Sequence, residues 1–211
     1  MSMLTVENIN VYYGQIHAIK DVSFEVNEGE IVSLIGSNGA GKSTALKTIS
    51  GLLRSRTGSI RFLDQEIGHE EAYRLVGRGL AHVPEGRRIF LAMTVEENLL
   101  WAARVGRRRF ESEKEMKERL KKVLGLVGFS GMERRYPVEM SVGEYRCVEL
   151  ARALINSPPI LVLDEITANL DDDSIWDIFH LLTEINRRGT TVIMATHASR
   201  YVNIMRRRVV T

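Results

Sequence analysis

Residues 36–43 read Gly-Ser-Asn-Gly-Ala-Gly-Lys-Ser and fit G-x-x-x-x-G-K-[ST] at every position. Each residue type has a physical task. Glycines at 36, 39 and 41 let backbone N–H groups turn inward around phosphate oxygens, where a Cβ would collide. Lys42 brings a point charge to the β- and γ-phosphates of a nucleotide, and the Ser43 hydroxyl is a ligand for Mg²⁺. Ser37, Asn38, Ala40 and Thr44 complete the expected phosphate contacts, with a helix opening at Ser43 that adds the positive end of its dipole. The complementary element is Ile160-Leu-Val-Leu-Asp164-Glu165. A carboxylate at the end of a buried strand beside a phosphate loop holds Mg²⁺, usually through water. Glu165, one residue on, is placed to orient or deprotonate an attacking water.

The elements that must position these groups are legible in the hydrophobic pattern. Leu4–Tyr13 and His17–Val26 alternate apolar and polar residues around Gly14, as two antiparallel strands do. Ile31–Ile35, Gly79–Val83, Ile160–Leu163 and Thr190–Ala195 are short apolar runs of the kind found in a sheet buried on both faces. Ser59–Leu63 reads as a further strand of the antiparallel layer, and Arg208–Val210 as the start of a terminal one. Helical spacing covers Ser43–Leu53, Glu96–Arg104, Glu111–Val127, Val142–Asn156 and Ser174–Arg187, with a last helix from Ala198. The predicted fold class is α/β: a P-loop core with an N-terminal antiparallel β layer and an inserted α-helical subdomain. The division is 1–87 and 158–211 for the core and 88–157 for the insertion. In such a sheet ligands bind at the carboxyl ends of the strands.

Composition excludes several functions. With 29 basic and 27 acidic residues the net charge is only +2, too little for a sequence-independent hold on nucleic acid. The triplet Arg107-Arg108-Arg109 reads as a solvated surface, because acidic residues follow at once. Cys147 is the single cysteine, so no internal disulfide forms and a zinc site is not expected. Met1–Asn10 lacks the pattern of a signal peptide, and no window approaches 18 apolar residues. A membrane role would have to come through a partner.

Together the two motifs resemble the ATP-binding domains of ABC proteins, and the resemblance covers nearly the whole chain. It implies ATP and Mg²⁺ as ligands and a head-to-tail dimer with a second copy or a related subunit. It also implies a transmembrane transporter partner and a cytoplasmic position at the inner face of the membrane. By the same resemblance Tyr13 stacks on adenine, and Glu85 stands near the metal where the family usually has glutamine. Met140-Ser141-Val142-Gly143-Glu144 occupies the place of the L-S-G-G-[QE] signature, with Ser141, Gly143 and Glu144 as nucleotide contacts. Asn169-Leu170-Asp171 matches the loop that communicates across the dimer, and His197 matches the switch histidine that senses the γ-phosphate.

The first half, through VPEGRRIF and MTVEENL, is most similar to ATPases of branched-chain amino-acid importers. The second half, from RYPVEMS to GTTVIMATH, is closer to the cell-division and lipoprotein-exporter group. Such a split suggests a recombined or engineered chain. Val142 replaces the first signature glycine, and its isopropyl group is expected to block close approach or to forbid the needed backbone angles. Tyr145, Arg146, Cys147, Ile166 and Ala168 also depart from the family pattern. All of these departures are expected on the surface that sandwiches ATP between two domains. Three functions fit: an energiser of transport, a mechanical ATPase of the cell-division type, and a nucleotide-binding scaffold with little turnover.

Overall fold

The computed structural model describes residues 2–86, 88–105, 112–204 and 208–210. The triplet at 107–109 lies outside the described residues. Two sheets organise the chain. The first is antiparallel, in the order β2-β1-β4-β5, from β1 (Ser2–Tyr13), β2 (Ile16–Asn27), β4 (Thr57–Phe62) and β5 (Gln65–Glu66). The second is parallel, in the order β6-β7-β8-β3-β9. Its strands are β3 (Ile31–Leu34), β6 (Leu80–Val83), β7 (Ile160–Asp164), β8 (Thr191–Ala195) and β9 (Arg208–Val210).

Three of the four apolar runs are fully buried strands, with every residue of β3, β7 and β8 buried, whereas in β6 only Leu80 and Val83 are buried and Ala81 and His82 are half-buried. Their side chains alternate between two cores, because successive residues of a strand point to opposite faces. Leu161, Leu163, Val192 and Met194 join one cluster with the helical residues Leu99, Leu124, Val148 and Leu182. Ile160, Val162, Ile193 and Val32 join the other, with Leu46 of the first helix and Val6, Ile60 and Phe62 of the antiparallel sheet. The parallel sheet is thereby covered on both sides.

The helices are α1 (Lys42–Ile49), α2 (Ala72–Gly77), α3 (Val95–Val105), α4 (Glu113–Leu126), α5 (Val142–Leu154), α6 (Asp172–Arg187) and α7 (Ser199–Ile204). Side chains set several of their starts. Ser112 and Ser141 form capping boxes with Glu115 and Glu144, and Asp171 caps α6 by accepting from the Ser174 amide at 2.8 Å. Helices α3, α4 and α5 pack on one another beside the sheet. Two elements, β5 and α2, have no counterpart in the sequence pattern: two and six residues are too short to show a period.

Candidate functional site

The phosphate loop joins the end of β3 to the start of α1, where the topology of an open α/β sheet puts a ligand. Gly39 and Gly41 have φ of 83° and 88°, a left-handed backbone that favours glycine. At Gly41 space adds to conformation, since a Cβ there would lie 3.2 Å from the carbonyl oxygen of Ala18. Lys42 Nζ donates to the carbonyls of Gly36 and Ser37, at 2.9 and 3.1 Å. The lysine charge is thus held over its own loop.

Ser43 Oγ donates to Asp164 Oδ1 at 2.7 Å, which joins α1 to the carboxyl end of β7. Asp164 Oδ2 is buried with no hydrogen-bond partner. Burial pushes the Asp164 carboxyl above its ordinary value and the Glu85 charge adds to this, while the Ser43 hydroxyl and Lys47 pull it down. Glu165 is buried with φ of 51°, and its amide donates to the Ala195 carbonyl at the end of β8. Its Oε1 lies 3.0 Å from His197 Nε2. Burial raises the Glu165 carboxyl, with His197 and Lys42 opposing. A buried hydrogen bond of 2.8 Å between Thr167 Oγ1 and Thr196 Oγ1 ties the same two loops together.

One cleft of about 650 Å³ gathers most of the predicted site. Asn38, Gly39, Ala40, Gly41, Lys42, Ser43 and Thr44 line it, with Tyr13, Glu85, Glu165 and His197. Tyr13 is half exposed at its mouth, with its hydroxyl 3.4 Å from Thr44 Oγ1. Gly36 and Ser37 are not on this wall; they line a neighbouring apolar cavity, and their carbonyls hold Lys42. Ile16, His17 and Ala18 also line the cleft, and no sequence motif marked them.

Oxygen donors from Ser43, Asp164 and Glu85 suit a hard cation, and the partnerless Asp164 Oδ2 provides a free ligand atom. Among the described residues no group of three His, Cys, Asp or Glu could cage a metal. The oxygen donor set is of the kind Mg²⁺ takes, with one or two carboxylates and the rest of the shell from phosphate and water.

Ser141, Gly143 and Glu144 are not brought to the cleft of their own chain. Glu144 is held by Arg135 at 2.8 Å, and a Cβ on Gly143 would lie 3.3 Å from Ser174 Oγ, in the first turn of α6. Two expectations about the altered positions need correction. Val142 is the first residue of α5 and has no positive φ, so its backbone is one that any residue adopts; only the bulk of its side chain distinguishes it from glycine. Tyr145, Arg146 and Ile166 are buried, so they are core residues and not an exposed sandwiching surface. Cys147 and Ala168 are half-buried.

This fold and this cleft define a P-loop nucleotide-binding protein. The family described as ABC transporter matches residues 19–168, and the chain belongs to that family. It is 39% identical over 195 residues to the high-affinity branched-chain amino acid transport ATP-binding protein BraG of Pseudomonas aeruginosa, covering 91% of this chain and 81% of that one. It is 36% identical to the cell division ATP-binding protein FtsE of Streptococcus pneumoniae, covering 92% and 84%. Each similarity runs through nine-tenths of the chain, so neither relative is matched by one half alone. Among solved structures, a nucleotide-free ATP-binding cassette from an ABC transporter superposes with a TM-score of 0.87 at 30% identity, covering 97% of this chain and 85% of the other. A dimeric post-hydrolysis cassette bound to ADP and Pi superposes with a TM-score of 0.82 at 28% identity, covering 92% and 88%.

Proposed function

We propose that the chain binds Mg-ATP in this cleft and hydrolyses it as a head-to-tail pair, energising a transmembrane transporter partner. The observation that carries this is the connected line Ser43–Asp164–Glu165–His197 at the open end of the phosphate loop. Loop amides and Lys42 neutralise phosphate charge, with Lys42 exchanging its two carbonyl partners for phosphate oxygens. Ser43, Asp164 and Glu85 hold the metal, which when bound neutralises charge on the phosphates. Glu165 orients the attacking water and accepts its proton, and its burial-raised carboxyl makes it a better base than an exposed glutamate. His197 steadies Glu165 and meets the γ-phosphate, while Tyr13 stacks on the base. Positioning dominates, because in-line attack on the γ-phosphate needs little covalent help.

Ser141, Gly143 and Glu144 serve a second copy or a related ATPase subunit, consistent with their absence from the cleft of their own chain. The helical subdomain at 88–157 carries exposed Phe90, Leu91, Trp101 and Val105, apolar side chains suited to a transmembrane partner. No described helix is long and apolar enough to cross a membrane. The protein would then sit in the cytoplasm, peripheral to the membrane through that partner, with no direct hold on nucleic acid. Similarity to a cell-division protein supports a second reading, a mechanical ATPase that moves no substrate.

ATP affinity and steady-state turnover test the reading together. Glu165→Gln should retain ATP binding and lose turnover by about 100-fold or more. ATP binding by the wild type with no turnover at all would leave only the scaffold.

A further inference from the structure

Helix α5, which starts at the Ser141 cap, is fastened to the segment that follows Glu85. Glu149 Oε1 accepts the Arg88 amide at 3.1 Å, and its Oε2 accepts Arg146 Nη1 at 2.7 Å. Arg146 Nη1 also reaches the Gly86 carbonyl at 3.4 Å. The Tyr145 hydroxyl accepts the Ile89 amide at 3.3 Å, and Arg152 Nη1 donates to the Arg88 carbonyl at 2.5 Å. Tyr145, Arg146 and Glu149 are all buried.

A buried ion pair is a poor way to stabilise a fold, since well-packed apolar residues of similar size do as well or better. This pair is not even fully satisfied, because Arg146 Nε is buried without a partner. What the cluster does provide is a fixed place for a backbone segment. Glu85 stands just before Gly86, whose φ is 90°, and the clamped groups lie on the far side of that turn.

We propose that Tyr145, Arg146 and Glu149 are positioning residues that hold Glu85 at the metal side of the cleft by tying its segment to α5. The inference rests on the reading of the cleft as a Mg-ATP site. The same contacts make the Ser141 end of α5 and the Glu85 segment move as one body, so a displacement of either reaches the other.

The test replaces both charges together, Arg146→Met with Glu149→Leu, so that neither is stranded in the core. ATP affinity is measured in Mg²⁺ and in EDTA, and amide exchange is followed at Arg88 and Ile89. The double variant should keep the EDTA affinity, because the phosphate loop is untouched. Its ratio of Mg²⁺ to EDTA affinity should fall about five-fold, the worth of one misplaced hydrogen-bonding group. The Arg88 amide should exchange faster. Tyr145→Phe, which removes one hydroxyl, should lower the ratio about two-fold and covers the case in which the double variant does not fold. A folded variant with the wild-type ratio would overturn the inference. If the wild type binds no ATP, the proposed function falls instead, and unchanged exchange at Arg88 in a folded double variant would still overturn the clamp.

Discussion

His82 on β6 makes the stability of this domain sensitive to mild acid. Both of its ring nitrogens are buried without a hydrogen-bond partner. Burial first, and then the Lys47 charge, lower its pKa from 6.5 to about 4. The unfolded chain takes up the proton as pH drops below 6.5, whereas the folded chain resists until about 4. Stability is therefore fully present above 6.5 and is lost as pH falls through that window. At about 1.4 kcal/mol per pH unit the loss is capped near 3 kcal/mol, and about 2 kcal/mol of it should be spent by pH 5. His82→Phe removes the titration, and the two cavities that His82 lines offer space for the larger side chain. Urea unfolding at pH 7.5 and pH 5.0 compares the two proteins, with the carboxylate contributions common to both cancelling. The variant should lose about 2 kcal/mol less than the wild type between the two pH values. Equal losses would refute the claim that a buried neutral imidazole is responsible.

Two further predictions address residues that depart from the family pattern. Val142→Gly should increase ATP-dependent dimerisation, measured by sedimentation in a Glu165→Gln background, at a cost of up to about 1 kcal/mol in helix stability. An unchanged dimer fraction would remove the steric account of Val142. Burial, followed by the Asp177 and Glu144 charges, pushes the Cys147 thiol to about 11. Iodoacetamide labelling of the folded protein at pH 8 should thus be at least about ten-fold slower than that of an unhindered cysteine, after allowing for the greater nucleophilicity of a more basic thiolate. Equal rates in folded and urea-unfolded protein would contradict it.

The sequence made the buried sheet plain because aliphatic runs such as Ile160–Leu163 have few other uses. The phosphate loop was equally plain, since its residue types are dictated by the ligand. Legibility failed where partners are distant in the chain. Nothing in the local pattern announces that Arg146 and Glu149 are buried, because a charged pair three residues apart on a helix is usually a solvated face. Their burial follows from backbone groups some 60 positions earlier that accept and donate to them. The burial of Tyr145 and Ile166 is illegible for a related reason: a motif gives a residue's position in a family but not its depth in a core. The cleft wall at Ile16–Ala18 is not legible in the sequence, because a strand entering from a turn carries no chemical signature of what it faces.

The backbone at Glu165 has a consequence for how such a protein can change over time. Its φ of 51° is one that a glycine or an asparagine adopts more cheaply, by about 1 kcal/mol. Variants selected only for resistance to heat are therefore drawn toward discarding this carboxylate, and selection for turnover is what keeps it. An inactive relative that is unusually robust would be the natural end of that drift.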